Sequence, residues 1–369
     1  MIACSSTTEP ETSLEELYPD FYGRFGNDFA LDALPNYANQ DVPTYIDKDN
    51  TAANPITDKG AFLGRVLFYD KNLSSDNTVA CASCHQQEHA FSDLTSVSGG
   101  VNGNTGRHSM RLINSRFADE SHFFWDERAN TLEDQTTKPI QDHNEMGFSG
   151  EDGDPGLDDL ITKLGDIGYY TDLFTFVYGN PDITEAKIQL AIAQFVRSIQ
   201  SFDSKFDTGR AQVSSNNQDF PNFSADENDG KTLFLLPKNM GGAGCAGCHN
   251  PPEFDIRSTS GNNGVTGVFG SLDTDFTVTR APSLRDLVKP DGSSNGAFMH
   301  DASLGSLEDV IEHYNSGIAL NDDLDERLAP GGVPQNLGLS ATEKQQLVDF
   351  LKTLSGSNVY TDPKYASPF

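Results

Sequence analysis

Residues 81–85 read Cys-Ala-Ser-Cys-His and residues 245–249 read Cys-Ala-Gly-Cys-His, so one short pattern, C-x-x-C-H, occurs twice. Three chemistries use cysteines at this spacing. A thioredoxin-like redox pair sits in a βαβ unit, and a four-thiolate zinc site takes two C-x-x-C pairs with no use for a histidine after them. Covalent attachment of a c-type haem uses every residue: Cys81 and Cys84, then Cys245 and Cys248, would form thioethers, and His85 and His249 would ligate the two irons. That the histidine recurs in the same position both times favours the haem reading over the other two.

The flanking sequence is helical. Ala61, Phe62, Arg65, Val66, Phe68 and Tyr69 suit one amphipathic helix ahead of the first pair, and Ile188, Ile192, Phe195, Val196 and Ile199 recur at helical spacing between 184 and 202. Ser224 with Glu227, and Ser340 with Glu343, read as capping boxes that open two more helices. Segments 149–156, 212–223, 258–273 and 289–297 are rich in Gly, Asn, Ser and Asp and read as loops. Each half repeats one order: helix, loop, cysteine pair, polar loop, further helices. The expectation is an all-α chain of two tandem domains with long ordered loops, divided into an N-terminal tether and extension (1–53), a first domain (54–205) and a second (206–369).

The chain has 369 residues, enough for two or three cores, and its 36% hydrophobic content plus 33 glycines is that of a globular protein. With 25 basic against 55 acidic residues, the formal charge of −30 repels phosphate backbones and anionic lipid, which argues against nucleic-acid binding. No apolar stretch is long enough to cross a bilayer. Cys4 is followed directly by a polar run, Ser-Ser-Thr-Thr-Glu-Pro-Glu-Thr-Ser, like the tether after the acylated cysteine of a bacterial lipoprotein. A lipid anchor at Cys4 and a plain free thiol are both compatible with it. Bacteria attach haem covalently outside the cytoplasm, so the motif implies a periplasmic or otherwise extracytoplasmic protein.

Beyond the motifs, an ordered string of segments runs from 54 to 354. It includes Asn54-Pro-Ile-Thr-Asp-Lys-Gly-Ala-Phe-Leu-Gly-Arg-Val-Leu-Phe-Tyr-Asp, Phe124-Trp125-Asp126-Glu127-Arg128-Ala129, Leu132-Glu133-Asp134-Gln135, Glu145-Met146-Gly147, Ala281-Pro282-Ser283-Leu284-Arg285 and Met299-His300-Asp301. This string resembles the bacterial di-haem cytochrome c peroxidases and their relative MauG, which oxidises tryptophans on a partner protein. The resemblance implies two cytochrome c-like domains, with hydrogen peroxide reacting at the N-terminal haem. It also implies electrons arriving from a small cytochrome or cupredoxin, or withdrawn from tryptophan or tyrosine on a protein substrate. Carried onto this chain, Glu145 is similar to the distal acid/base, Gln135 to its neighbour, and Trp125, the one tryptophan, to the aromatic bridge between the haems.

Two departures mark a subtype. Where reductively activated peroxidases carry a blocking histidine after the first motif, this chain reads Gly99-Gly100-Val101-Asn102, which implies an open first haem. His89 is too close in sequence to His85 to take that role, and His108 stands where the family has an asparagine that helps to hold an inter-haem calcium. A calcium there is in doubt, because that hard cation prefers oxygen. At the second haem the peroxidases' methionine is replaced by Tyr314, as in MauG. Leu307, Val310, Ile311 and Tyr314 fall at i, i+3, i+4 and i+7 of one helix face, which aims Tyr314 inward and His313 away. Met299 is the alternative ligand to Tyr314.

Overall fold

The computed structural model describes residues 12–26, 29–118, 122–256 and 259–369; Cys4, and with it the anchor expectation, lies outside them. The helices that position the sites are α1 (Asp58–Tyr69), α2 (Leu132–Thr137), α3 (Glu185–Ser198), α4 (Ala225–Leu235), α5 (Leu307–Ser316) and α6 (Ala341–Lys352). Among the described residues the sheet content is one two-stranded ladder, His249–Asn250 against Asp255–Ile256.

Each half is organised by a close helix crossing made possible by a glycine. A Cβ on Gly64 of α1 would lie 2.0 Å from the Ala191 carbonyl oxygen of α3, and one on Gly230 of α4 would lie 1.9 Å from that of Gln346 on α6. Only a residue without a Cβ allows backbones this near. The helix ahead of each cysteine pair therefore packs on the last long helix of its own half. Two apolar cores result, one built mainly between Phe21 and Ile199, the other between Phe206 and Leu354.

The helix starts follow local chemistry. Ser224 Oγ accepts from Glu227 N (3.1 Å) and Ser340 Oγ from Glu343 N (3.2 Å), and both glutamates reach back to their serine's N–H. Ser306 likewise accepts from Asp309 N (3.1 Å) at the start of α5.

Two long-range features differ from the sequence reading. Helix α1, expected as an amphipathic helix, is covered on all sides: all residues from Gly60 to Phe68 are buried, Arg65 included. Its polar side is covered by the C-terminal tail, whose Pro363 and Ala366 carbonyls accept from the Arg65 guanidinium at 2.9 and 2.6 Å. The tail's Val359 and Tyr365 accordingly belong to the first core, although they follow the second in sequence. Residues before 54 are likewise more than a tether, since Phe21, Phe25, Leu31 and Tyr37 are buried in that same core.

Candidate functional site: two histidine-walled cavities

Cys81–Cys84 forms one helical turn, started by Ser83 Oγ accepting from Ala80 N at 3.0 Å. His85 follows, its N–H closing on the Cys81 carbonyl at 2.9 Å. A tight loop then returns, with Ala90 and Phe91 both at positive φ (54° and 58°). This uncommon conformation is held by the fully buried Phe91 ring and by Phe91 N donating to the Gln86 carbonyl at 2.8 Å. It aims the Phe91 carbonyl at His85 Nδ1, 3.0 Å away. A carbonyl only accepts, so Nδ1 carries the proton and Nε2 keeps a lone pair, the arrangement found behind metal-ligating histidines. Burial lowers the His85 pKa, favouring the neutral ring.

His85, Cys81 and Cys84 line a cavity of about 470 Å³ whose wall also carries Gln135, Glu145 and Trp125. Burial, reinforced by nearby Asp142 and opposed by Arg128, pushes the Glu145 carboxyl up to about 7. Gln135 sits on α2, which Thr131 caps by accepting from Asp134 N at 3.0 Å. Glu133 ties α2 to α3 through an ion pair with Arg197. Glu145 is held by the glycine stretch that stands where a histidine is absent. Val101 N donates to the Glu145 carbonyl (3.0 Å) and Asn102 to those of Asn144 (3.3 Å) and His143 (2.9 Å). Gly100 passes so close that a Cβ would lie 2.0 Å from the Asn144 oxygen. His89 does not line this cavity.

Trp125 lies in the wall between this cavity and a second, smaller one. Its indole N–H donates to the His108 carbonyl (2.8 Å), its own carbonyl accepts from Thr279 and Arg280 N–H (3.0 and 3.1 Å), and its ring is 6.3 Å from that of His300. His108 spends Nδ1 on the Thr95 carbonyl (2.8 Å), with Nε2 3.5 Å from Ser92 Oγ.

The second cavity is lined by Cys245, Cys248 and His249, and by Leu307, Val310, Ile311 and Tyr314 from α5, the stripe expected from helical spacing. His313 points off it, its Nε2 3.0 Å from the Asn263 carbonyl. Met299 is also in the wall, and Asn263 Nδ2 reaches both Tyr314 Oη and Met299 Sδ at 3.4 Å. Burial holds the Tyr314 phenol far above its usual range and lowers His249 to about 4.

The two cysteine pairs face separate cavities, and among the described residues no group of three His, Cys, Asp or Glu side chains could hold a metal ion. A shared four-thiolate zinc site is thereby excluded. The sequence reading missed Phe91 and Asn263, whose places depend on contacts that leave no local pattern.

The sequence pattern of the di-haem cytochrome c peroxidases matches residues 58–214. The methylamine utilization protein MauG of Methylophilus methylotrophus is 31% identical over 312 residues, covering 82% of this chain and 84% of its own. The cytochrome c551 peroxidase of Nitrosomonas europaea is 27% identical, covering 83% and 82%. The crystal structure of a MauG-like protein associated with microbial copper homeostasis superposes with a TM-score of 0.69 at 28% identity, over 89% of this chain and 99% of that one. Two all-α, cytochrome c-like halves, a cavity walled by histidine and cysteines in each, and this degree of likeness agree: the chain belongs to the di-haem cytochrome c peroxidase and MauG family of oxidoreductases, whose members work with two haems.

Proposed function

We propose that the protein is an extracytoplasmic c-type peroxidase that reduces hydrogen peroxide in the first cavity and passes electrons between its two haems through the wall containing Trp125. The observation that carries this reading is the convergence of Cys81, Cys84, His85, Gln135 and Glu145 on one cavity that shares Trp125 with the other.

The residues fit the cofactor. Burial pushes the Cys81 and Cys84 thiols up to about 12 and about 11, and Cys245 to about 12. These are neutral thiols suited to thioether formation rather than thiolates awaiting a metal. Cys81 and Cys84 would hold the first haem with His85 Nε2 toward its iron; Cys245, Cys248 and His249 would hold the second. When bound, the haems supply one-electron redox chemistry and a site for peroxide.

The protein's own part is proton management. Reduction of H₂O₂ to two waters takes two electrons and two protons. The Glu145 carboxylate takes the proton from one peroxide oxygen and returns it to the leaving oxygen, and Gln135 orients the reactant beside it. A carboxyl pushed up to about 7 exchanges protons readily near neutral pH. In the second cavity Tyr314 is the proposed oxygen ligand, with Met299 as the competing sulfur donor. Electrons come from a small redox protein. The inward Tyr314 supports a second reading, in which peroxide drives oxidation of tryptophan or tyrosine on a partner protein.

Denaturing mass spectrometry tests the assignment. The expected mass exceeds the polypeptide by two haems, and the bare-chain mass or a zinc adduct overturns it. Adding peroxide to the oxidised protein with and without an electron donor separates the two readings: donor-dependent consumption supports the first, and modification of a co-expressed protein without donor the second.

A further inference from the structure

We infer that Arg111 is the anchor for the propionate carboxylates of both haems, a single guanidinium set where the two cavities meet. The inference rests on the two-haem occupancy proposed above.

A haem is apolar except for two carboxylates, which need cationic or hydrogen-bonding partners when buried. The cations that line the cavities are Arg107, Arg111, Arg128, Arg280, Lys238 and Arg327, of which Arg111 and Arg280 line both. Most are committed elsewhere. Arg107 pairs with Asp126 and Asp275 at 2.6 Å each, Arg128 with Asp126 at 2.8 Å, and Arg327 with Asp325 at 2.5 Å. Lys238 donates to the Arg327 carbonyl and to Gln335, and Arg280 to the His122 carbonyl.

Arg111 is different. Its Nε is buried with no hydrogen-bond partner among the described residues, and its guanidinium carbon rests 5.9 Å from the Phe298 ring. Tyr360 and Asp286 act on it only through space, and no hydrogen bond joins the Asp286 carboxyl, whose Oδ1 accepts from Gly356 N at 2.9 Å and whose Oδ2 is buried, to the guanidinium. A guanidinium does not shed its charge by deprotonation, so a buried one is stable only opposite an anion.

The backbone explains why this side chain reaches both cavities. His108 N donates to the His300 carbonyl of the second half (2.8 Å), and Asn114 N to the Ile199 carbonyl of the first (3.1 Å). The segment between them is thus pinned in the seam. The planar fork of arginine can serve two carboxylates at once, which a lysine point charge does less well.

A positive charge beside the propionates offsets their field at both irons. Its removal stabilises the ferric state of each. The test is redox titration of the intact di-haem protein and of Arg111→Met, with haem content read from intact mass on the same samples. Arg111→Gln is the second neutral probe should the methionine variant not accumulate. In either variant both midpoint potentials should fall, changing each haem's oxidised-to-reduced ratio at fixed potential by about tenfold, or about 59 mV for a one-electron couple. Arg111→Lys should recover most of the shift. Two haems retained with potentials unmoved, or with only one moved, overturns the shared anchor. A wild type that carries fewer than two haems instead defeats the occupancy on which the inference rests.

Discussion

The cavity of about 470 Å³ lined by His85 also carries a carboxyl and an amide, Glu145 and Gln135; the one lined by His249 carries a phenol and a thioether, Tyr314 and Met299, both reached by Asn263. The scaffolds behind the histidines also differ. His85 Nδ1 donates to the Phe91 carbonyl at 3.0 Å, while the Phe254 carbonyl, from a phenylalanine also at positive φ, acts on His249 in looser geometry. The same C-x-x-C-H pattern thus stands in two environments, the larger lined by a carboxyl and an amide, the smaller by a phenol and a thioether. On the function proposed above, the two haems' tasks divide along the walls, not along the motif.

The sharpest way to break this comparison is to make the first wall inert. Glu145→Gln keeps size and removes the proton acceptor, so the rate of reaction with peroxide should fall by about 10² to 10⁴, measured by stopped-flow absorbance. The pH profile adds a check on sign. In the proposed role the working base is the ionised carboxylate, and burial pushes Glu145 up to about 7, so the wild-type rate should rise with pH through that region and then level. In Glu145→Gln the rise should vanish. An unchanged rate and profile would return the proton transfer to another group.

The next effect concerns how Glu145 is held. Gly100 has no space for a Cβ, whereas Gly99 beside it has nothing within 4 Å of the same position. Gly100→Ala must therefore push the 144–145 backbone aside, and a shift of this size should slow the peroxide reaction by about tenfold and lower stability by about 1–3 kcal/mol. Gly99→Ala should leave both unchanged. Equal behaviour of the two variants in peroxide kinetics and thermal melting would remove the glycine stretch from the account of the site.

What could be read in the sequence was local. The cysteine pairs, the caps at Ser224 and Ser340, and the Leu307–Val310–Ile311–Tyr314 stripe each lie within one or two helical turns, where spacing translates directly into direction. What escaped depends on distant partners. The burial of Arg65 was not legible because the carbonyls that satisfy it, on Pro363 and Ala366, lie about 300 positions later. Phe91 and Ala90 gave no turn signal, since neither is a residue that favours positive φ; tertiary burial holds them there. Arg111 differs again, because only the three-dimensional seam distinguishes it from any other basic residue.

The smallest effect on the peroxide reaction, and the most direct probe of the second wall, comes from exchanging its two candidate ligands. Tyr314→Phe removes one oxygen with little change in packing, and Met299→Leu removes the sulfur. If Tyr314 is the sixth ligand, its loss should raise the second haem's potential, because an oxygen donor stabilises the ferric state that a thioether does not. Met299→Leu should then leave the potential unchanged, and both variants should react with peroxide within about twofold of wild type, since the first wall is intact. Asn263 stands 3.4 Å from both atoms and so does not choose between them. The reverse pattern, with Met299→Leu shifting the potential and wild type showing the sulfur-to-iron charge-transfer band of a methionine-ligated haem, would make the second wall that of a donor-dependent peroxidase. The contrast between the two cavities would survive in that case, but the oxygen ligand that favours long-lived oxidation of a partner protein would be gone.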